Sequence, residues 1–377
     1  MSETVLTNAQ LVLPDEVVLG SVLVRDGEIV EIGTPTAAGE DMGGDYIMPG
    51  FVELHTDALE AHYKPRPKVR WSPAAAIQQH DAQVAASGIT TVFDALRVGL
   101  DQEGDMGRED MLALGAAIEQ ASTSGRLRVD HFIHLRCEVS APDCLEGFRM
   151  LESHPQVGLA SLMDHAPGQR QFQNIDQARV YYQGKLKMSD EVFAAFIERR
   201  GAESRTYAPP HRAAIAQACR ERGIAMASHD DATVAHVEEA IAAGIDVAEF
   251  PTTMEAAKAS HDAGLAVLMG APNVVRGGSH SGNISARSLV DNGVLDILSS
   301  DYIPFSLMQA VFALTRDENA ISLPRAVRLV SASPAEAAGL SDRGMIAPGK
   351  RADLVRVEVV EDHPVVRTVW SAGERVI

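Results

Sequence analysis

The sequence predicts an α/β protein: a (β/α)8 TIM-like barrel with a small β-sandwich domain built from both chain ends. Three observations predict it. In the middle of the chain, apolar strand-like runs alternate with stretches of helical periodicity, and the runs number eight. Polar residues of metal-ligating type follow six of these runs at the same end, where barrel chemistry gathers. The two termini share a different style, of short strands joined by Gly-containing turns.

The elements follow in order. Val5–Leu13 and Ser21–Arg25 read as strands, and Asp26-Gly27 turns the chain into Glu28–Ile32. The eight runs are Phe51–Leu54, Ile89–Ala95, Val129–Leu135, Val157–Met163, Ile224–Ser228, Val247–Phe250, Leu265–Met269 and Val294–Ser299. Met111–Gln120, Glu191–Arg199, His211–Arg222, Thr233–Ala243 and Met254–Ala263 have helical spacing. Gly223, Gly244, Gly264 and Gly293 stand where left-handed helix caps are needed. Gly344–Ile346, Ala352–Val360 and Thr368–Val376 resume the strand style of the beginning. This places the sandwich in residues 1–50 and 344–377 and the barrel in 51–343. A doubly wound open sheet would need a Gly-rich dinucleotide turn after the first run, and His55-Thr56-Asp57 stands there instead.

The composition excludes several classes. Hydrophobic residues make up 46% and charged residues 23% of the 377, the balance of a globular protein. A formal charge of −19 argues against general binding to nucleic acid or to anionic membranes, while leaving room for a local basic pocket. No apolar run is long enough to span a membrane, and the first residues lack the basic and apolar regions of a signal peptide. Cys137, Cys144 and Cys219 have no Cys-x-x-Cys spacing. A reduced, cytoplasmic setting without disulfides is expected.

The chemistry gathers at the run ends. Met48-Pro49-Gly50 leads through an apolar run to His55 and Asp57, which share one side of a strand. Imidazole with carboxylate suits zinc, manganese or iron. The third run leads to Arg136-Cys137-Glu138, the fourth to Asp164-His165, and the fifth to His229-Asp230-Asp231. The seventh leads to Asn273, Arg276 and the Gly277–Gly282 segment with His280, and the eighth to Ser300-Asp301. His55, Asp57, Glu138, His229 and Asp301 suffice as a shell for two divalent ions, with Glu138 as the bridging carboxylate and Asp301 also taking a proton from the attacking water. Asp230 and Asp231 are alternatively caps of the helix that follows. Glu60 and His62 either orient ligands or reach an ion themselves.

The layout resembles the amidohydrolase superfamily over nearly the whole chain. Met48-Pro49-Gly50 through His55 is similar to its first-strand signature, Ser300-Asp301 to its eighth-strand aspartate, and Gly344–Val355 to the return into its β-sandwich. The departures are His55-Thr56-Asp57 in place of His-x-His, Asp164-His165 in place of a modified lysine, and Glu249-Phe250-Pro251 where a sixth-strand histidine belongs. These departures resemble a narrower group, the diphosphatases that act on a ribose 1-methylphosphonate 5-triphosphate in phosphonate catabolism. The shared stretches include His55-Thr56-Asp57 with Glu60 and His62, Pro65-Arg66-Pro67, Leu135–Glu138, Met163–Phe172 and Arg276–Asn283.

That resemblance implies a hydrolase that releases pyrophosphate from a small phosphorylated substrate, with two divalent ions, zinc foremost and manganese or iron as alternatives, and a homo-oligomeric assembly. Arg66, Arg136, Arg170 and Arg276 would bind phosphoryl oxygens, and His280 would donate to a phosphate or protonate the leaving group. Read from the residues alone, Lys185 and Lys187 either belong to a solvated loop or cover the substrate. The competing reading is an amidohydrolase that cleaves a C–N bond, as an amidase, N-acyl-amino-acid hydrolase or deaminase.

Overall fold

A computed structural model describes residues 3–99, 106–167, 170, 179, 189–279, 282–316 and 319–377. Lys185, Lys187 and His280 lie outside the described residues. The chain divides into two compact units. One comprises Met1–Asp94, Ala117–Phe132 and Met269–Ile377, and the other Ala95–Ala116 and Ile133–Leu268.

Both chain ends build one mixed sheet in the first unit. Its early strands are β1 (Glu3–Val12), β2 (Val17–Arg25), β3 (Glu28–Gly33), β4 (Glu40–Asp41) and β5 (Tyr46–Pro49). The Asp26-Gly27 turn joins β2 to β3 with φ of 50° and 87°. Left-handed φ at both positions matches the twist of the flanking strands, as the sequence predicts. The late strands β14 (Leu354–Val360), β15 (His363–Ser371) and β16 (Glu374–Arg375) join through an antiparallel pairing of β14 with β5. The order is β16-β15-β14-β5-β1-β2-β3, with β4 on β1. Leu6, Leu11, Val22, Ile29, Ile47, Leu354 and Trp370 form its buried core.

A second sheet carries the eight predicted runs. They are β6 (Phe51–Thr56), β7 (Ile89–Val98), β8 (Asp130–Glu138), β9 (Val157–Met163), β10 (Ala225–His229), β11 (Val247–Glu249), β12 (Ala266–Gly270) and β13 (Ile297–Ser299). They are hydrogen-bonded in chain order. A parallel bridge between Thr56 and Asp301 links the end of β6 to the residue that leaves β13, so the two edges of the sheet meet. This is the (β/α)8 barrel. Strands buried on both faces read as near-continuous apolar runs rather than alternating ones, and every residue of β6 is buried, its polar Glu53, His55 and Thr56 included. Gly50 admits β6 beside β7, because a Cβ there would collide with the Thr90 side chain.

The connecting helices start and stop on local chemistry. Thr233 accepts a hydrogen bond from His236 N, and Thr253 from Ala256 N. Gly223 and Gly244 end their helices at φ of 69° and 78°. Both predicted segments between the fourth and fifth runs are helical, and they are continuous. Glu191–Arg199 and His211–Arg222 are parts of one 33-residue helix, Asp190–Arg222, which runs through Pro209 and Pro210. Each proline removes a backbone donor and favours a break. The buried stripe Phe193, Phe196, Arg200, Ser204, Ala208, His211, Ile215, Cys219 continues across them at helical spacing, and that packing holds the segment together. Cys137, Cys144 and Cys219 are free and buried. No helix among the described residues is long and apolar enough to cross a membrane.

Candidate metal centre

In the first unit, Glu53 and His55 stand at i and i+2 of β6, which directs them to one side, and Asp57 follows directly as the residue that caps the helix Ala58–Tyr63. His55, Asp57 and Asp301 bring ligand atoms within 4.8 Å of one another. Backbone pairing fixes their positions. Asp57 N donates to Asp301 O at 2.9 Å, Asp301 N donates to His55 O at 3.1 Å, and Thr56 Oγ1 donates to Asp301 O at 2.9 Å. Asp301 sits at φ 56°, in the left-handed region that a non-glycine residue enters at a cost. Glu53 is fully buried and accepts from His55 N at 2.7 Å and from Ser300 N at 2.6 Å, tying the two strand ends together. Burial raises its carboxyl to about 7 against the pull of those hydrogen bonds.

In the second unit, His165, His229 and Asp230 also bring ligand atoms within 4.8 Å of one another. His165 Nδ1 lies 2.7 Å from Glu138 Oε2, and its Nε2 lies 3.5 Å from Asp230 Oδ2. His229 Nε2 lies 3.6 Å from the same Asp230 oxygen, and its Nδ1 lies 3.2 Å from Glu249 Oε2. Glu138 accepts from Ser140 Oγ at 2.6 Å and from His165 N at 3.0 Å, with Arg200 at 3.5 Å and Arg97 at 3.9 Å. Burial opposes its ionisation, but the charge and hydrogen bond of His165, then Arg97 and Arg200, outweigh burial and hold the carboxyl well below its ordinary range. His165 is held against burial by Glu138 and Asp230 and rises to about 9.

This donor set fits a divalent cation. Asp230 Oδ2 is buried without a hydrogen-bond partner, while two imidazole nitrogens stand 3.5 and 3.6 Å from it. Ligand nitrogens and oxygens around one ion are spaced in this way, whereas direct hydrogen bonds are shorter. Asp230 and Phe250 leave their strands at φ 56° and 53°. Left-handed non-glycine residues therefore stand at strand ends in both units.

The predicted residues sort as follows. His55, Asp57 and Asp301 are brought together in the first unit. In the second, Glu138 and His229 both lie against the His165–Asp230 pair or its partners. Arg136 is half-buried at the end of β8; burial opposes ionisation of Asp230, and His229, then His165 and lastly Arg136 outweigh it and hold that carboxyl low. Arg66 and Arg276 are exposed. Arg170 is buried and engaged by Asp231 and Glu239, which neutralise it within the fold. His62 contacts Gln83 Oε1 at 2.8 Å. Arg97 and Arg200 escaped the sequence reading. The second run was ended at Ala95, but β7 continues to Val98 and so carries Arg97 to the strand end. Arg200 occupies the buried stripe of its helix, where periodicity predicts an apolar residue.

Also unforeseen is a buried polar network outside this set. Asp94 Oδ1 lies 2.7 Å from His80 Nε2 and Oδ2 lies 2.7 Å from His131 Nδ1, all three side chains being fully buried. Asp81 lies 3.5 Å from His131 and pairs with Arg128 at 2.8 Å.

A parallel eight-stranded barrel with histidines and carboxylates at its C-terminal strand ends is the architecture of a metal-dependent hydrolase class. The amidohydrolase family profile matches residues 46–376, and the chain belongs to that family. It is 47% identical over 376 residues to alpha-D-ribose 1-methylphosphonate 5-triphosphate diphosphatase of Escherichia coli, covering 99% of this chain and 100% of that one. Adenine deaminase of Ligilactobacillus salivarius is 25% identical over 386 residues, spanning 99% of this chain and 57% of the deaminase. Among solved structures, a variant of N-acetyl-D-glucosamine-6-phosphate deacetylase from Mycobacterium smegmatis superimposes with a TM-score of 0.65 at 17% identity, over 100% of both chains.

Proposed function

We propose that this chain hydrolyses alpha-D-ribose 1-methylphosphonate 5-triphosphate to the 5-phosphate, releasing pyrophosphate in phosphonate catabolism. The observation that carries the reading is the full-length 47% identity to the Escherichia coli diphosphatase. The alternative of C–N bond cleavage rests on relatives near 25% identity, such as the adenine deaminase.

Two divalent ions, with zinc ahead of manganese or iron, would be held by His55, Asp57 and Asp301 and by His229 with His165 and Asp230, and would polarise the phosphoryl group and acidify the attacking water. Asp301 accepts the proton from that water, its carboxylate presented by the Thr56 bridge and the Asp57 amide. Glu138, expected from the sequence to bridge the two ions, is given a different role in this reading: it holds His165 in place through Nδ1, which fixes the direction in which Nε2 points. Arg136, Arg276 and Arg66 supply positive charge for the phosphoryl oxygens, and His280 protonates the departing group. Arg170 acts on Asp231 rather than on substrate, because its guanidinium is already engaged. The same reading makes the enzyme a cytoplasmic homo-oligomer, and sedimentation of the purified chain tests that assembly.

Phosphorus NMR of the purified, metal-loaded chain with a ribose 5-triphosphate tests the reaction. Pyrophosphate with a 5-phosphate product supports the reading. Stepwise release of orthophosphate, or no turnover, sinks it.

A further inference from the structure

Between Ala61 and His80 the chain carries no carboxylate, while Lys64, Arg66, Lys68 and Arg70 crowd into one short segment. In a protein of formal charge −19 this is a concentrated reversal of sign. The segment leaves the helix Ala58–Tyr63, which begins directly after Asp57. Arg66 and Val69 form an antiparallel bridge, with Val69 N donating to Arg66 O at 3.1 Å. Trp71 N returns to Tyr63 O at 2.7 Å and pins the base of the loop to the helix end. Pro65 and Pro67 fix φ on both sides of Arg66, and Lys68 turns the tip at φ 65°. All residues from Pro65 to Trp71 are exposed. Arg66 and Lys68 have no carboxylate partner among the described residues. A solvated loop without a ligand has no need of this stiffness or of one-sided charge, whereas cations held in place before binding lose less freedom when an anion arrives.

We propose that the Lys64–Trp71 hairpin is a polyphosphate-binding element, in which Arg66 and Lys68 engage the two terminal phosphoryl groups that depart together as pyrophosphate. The inference rests on the triphosphate reading and adds the subsite for the leaving group. Arg66 offers a planar fork to oxygens of one phosphoryl group, and Lys68 offers a compact charge to its neighbour. The hairpin follows closely on His55 and Asp57 in the chain, so the cations that bind the terminal phosphoryl groups and the metal-ligand residues are supplied by one continuous segment.

Isothermal titration calorimetry of the metal-loaded full chain with inorganic pyrophosphate, and separately with inorganic phosphate, tests this. In R66A/K68A the pyrophosphate Kd rises by about tenfold or more, while the phosphate Kd changes by less than about threefold. The swapped variant R66K/K68R keeps both charges and recovers most of the pyrophosphate affinity. Metal content and Tm stay at the wild-type values, and KM for the triphosphate rises with little change in kcat. A pyrophosphate affinity within about twofold of wild type in R66A/K68A overturns the proposal. So does an equal loss for both anions, which marks a general field effect, or an absence of pyrophosphate binding by the wild type. If NMR instead shows that the triphosphate is not cleaved to pyrophosphate, the reaction assignment fails, while the calorimetry still reads the hairpin by itself.

Discussion

Asp94→Asn is the most informative perturbation of stability in this fold. The Asp94 carboxylate is buried, and its two oxygens serve His80 and His131 at 2.7 Å each. Burial opposes a charge on His131, but the charges and hydrogen bonds of Asp94 and Asp81 overcome it and raise the ring to about 9 from 6.5. A rise of that size corresponds to roughly 3 kcal/mol of folding free energy, and removing one partner of a buried ion pair typically costs about 3–5 kcal/mol. Because the folded-state value lies above the unfolded one, His131's contribution is fully present below about pH 6.5 and is lost as the pH rises through 9. The Asp94 carboxyl is lowered, so its own contribution holds above 3.8 and is lost only in acid. Urea denaturation of wild type and Asp94→Asn at about pH 6 and about pH 9.5 reads the difference, with groups common to both proteins cancelling. The expected loss is about 3 kcal/mol or more at the lower pH and smaller, about 1.5 kcal/mol, at the higher, where His131 is neutral and only hydrogen bonds to the Asp94 carboxylate are at stake. A loss equal at the two pH values, or below about 1 kcal/mol at pH 6, would refute the reasoning.

Other outcomes concern activity. Asp301→Asn should leave the circular dichroism spectrum unchanged and lower kcat by about three or more orders of magnitude, and near-normal turnover would remove Asp301 from proton transfer. In Glu138→Gln, His165 loses its charged partner, and metal content measured by plasma mass spectrometry should fall below wild type. Arg276→Ala should raise KM for the triphosphate by about tenfold with kcat held, and a drop in kcat at constant KM would contradict its binding role.

Much of this architecture is written in local pattern. The eight apolar runs are legible because barrel strands are buried on both faces, and Gly223 and Gly244 mark real left-handed caps. His55 is legible because an apolar run with a strand's period ends on it, while Asp57 lies just past the strand and is placed by its amide's hydrogen bond to Asp301 O. The long helix through Pro209-Pro210 was not legible, because proline's local cost is visible in sequence and the packing that overrides it is not. Arg97 was lost to a strand boundary, the least certain part of any pattern reading. Asp94, inside the apolar run Ile89–Ala95, gives no sign of the histidines it serves, since His80 lies on a neighbouring helix and His131 at the start of β8. The neutralisation of Arg170 by Asp231 and Glu239 likewise depends on contacts far apart in the chain.

The strand ends themselves argue for function over stability. Asp230, Phe250 and Asp301 leave β10, β11 and β13 at φ of 56°, 53° and 56°. Backbone held in the left-handed region costs a non-glycine residue about 1 kcal/mol or more, and glycine there would relieve most of it. Two of the three are carboxylates facing imidazoles, and the third, Phe250, meets the His229 ring edge-on at 5.3 Å. Each side chain is thus retained at a backbone cost and turned toward a histidine. Strain tolerated where a side chain meets the ligand cluster, and absent along the buried lengths of the same strands, is what a barrel shaped around its strand-end chemistry shows.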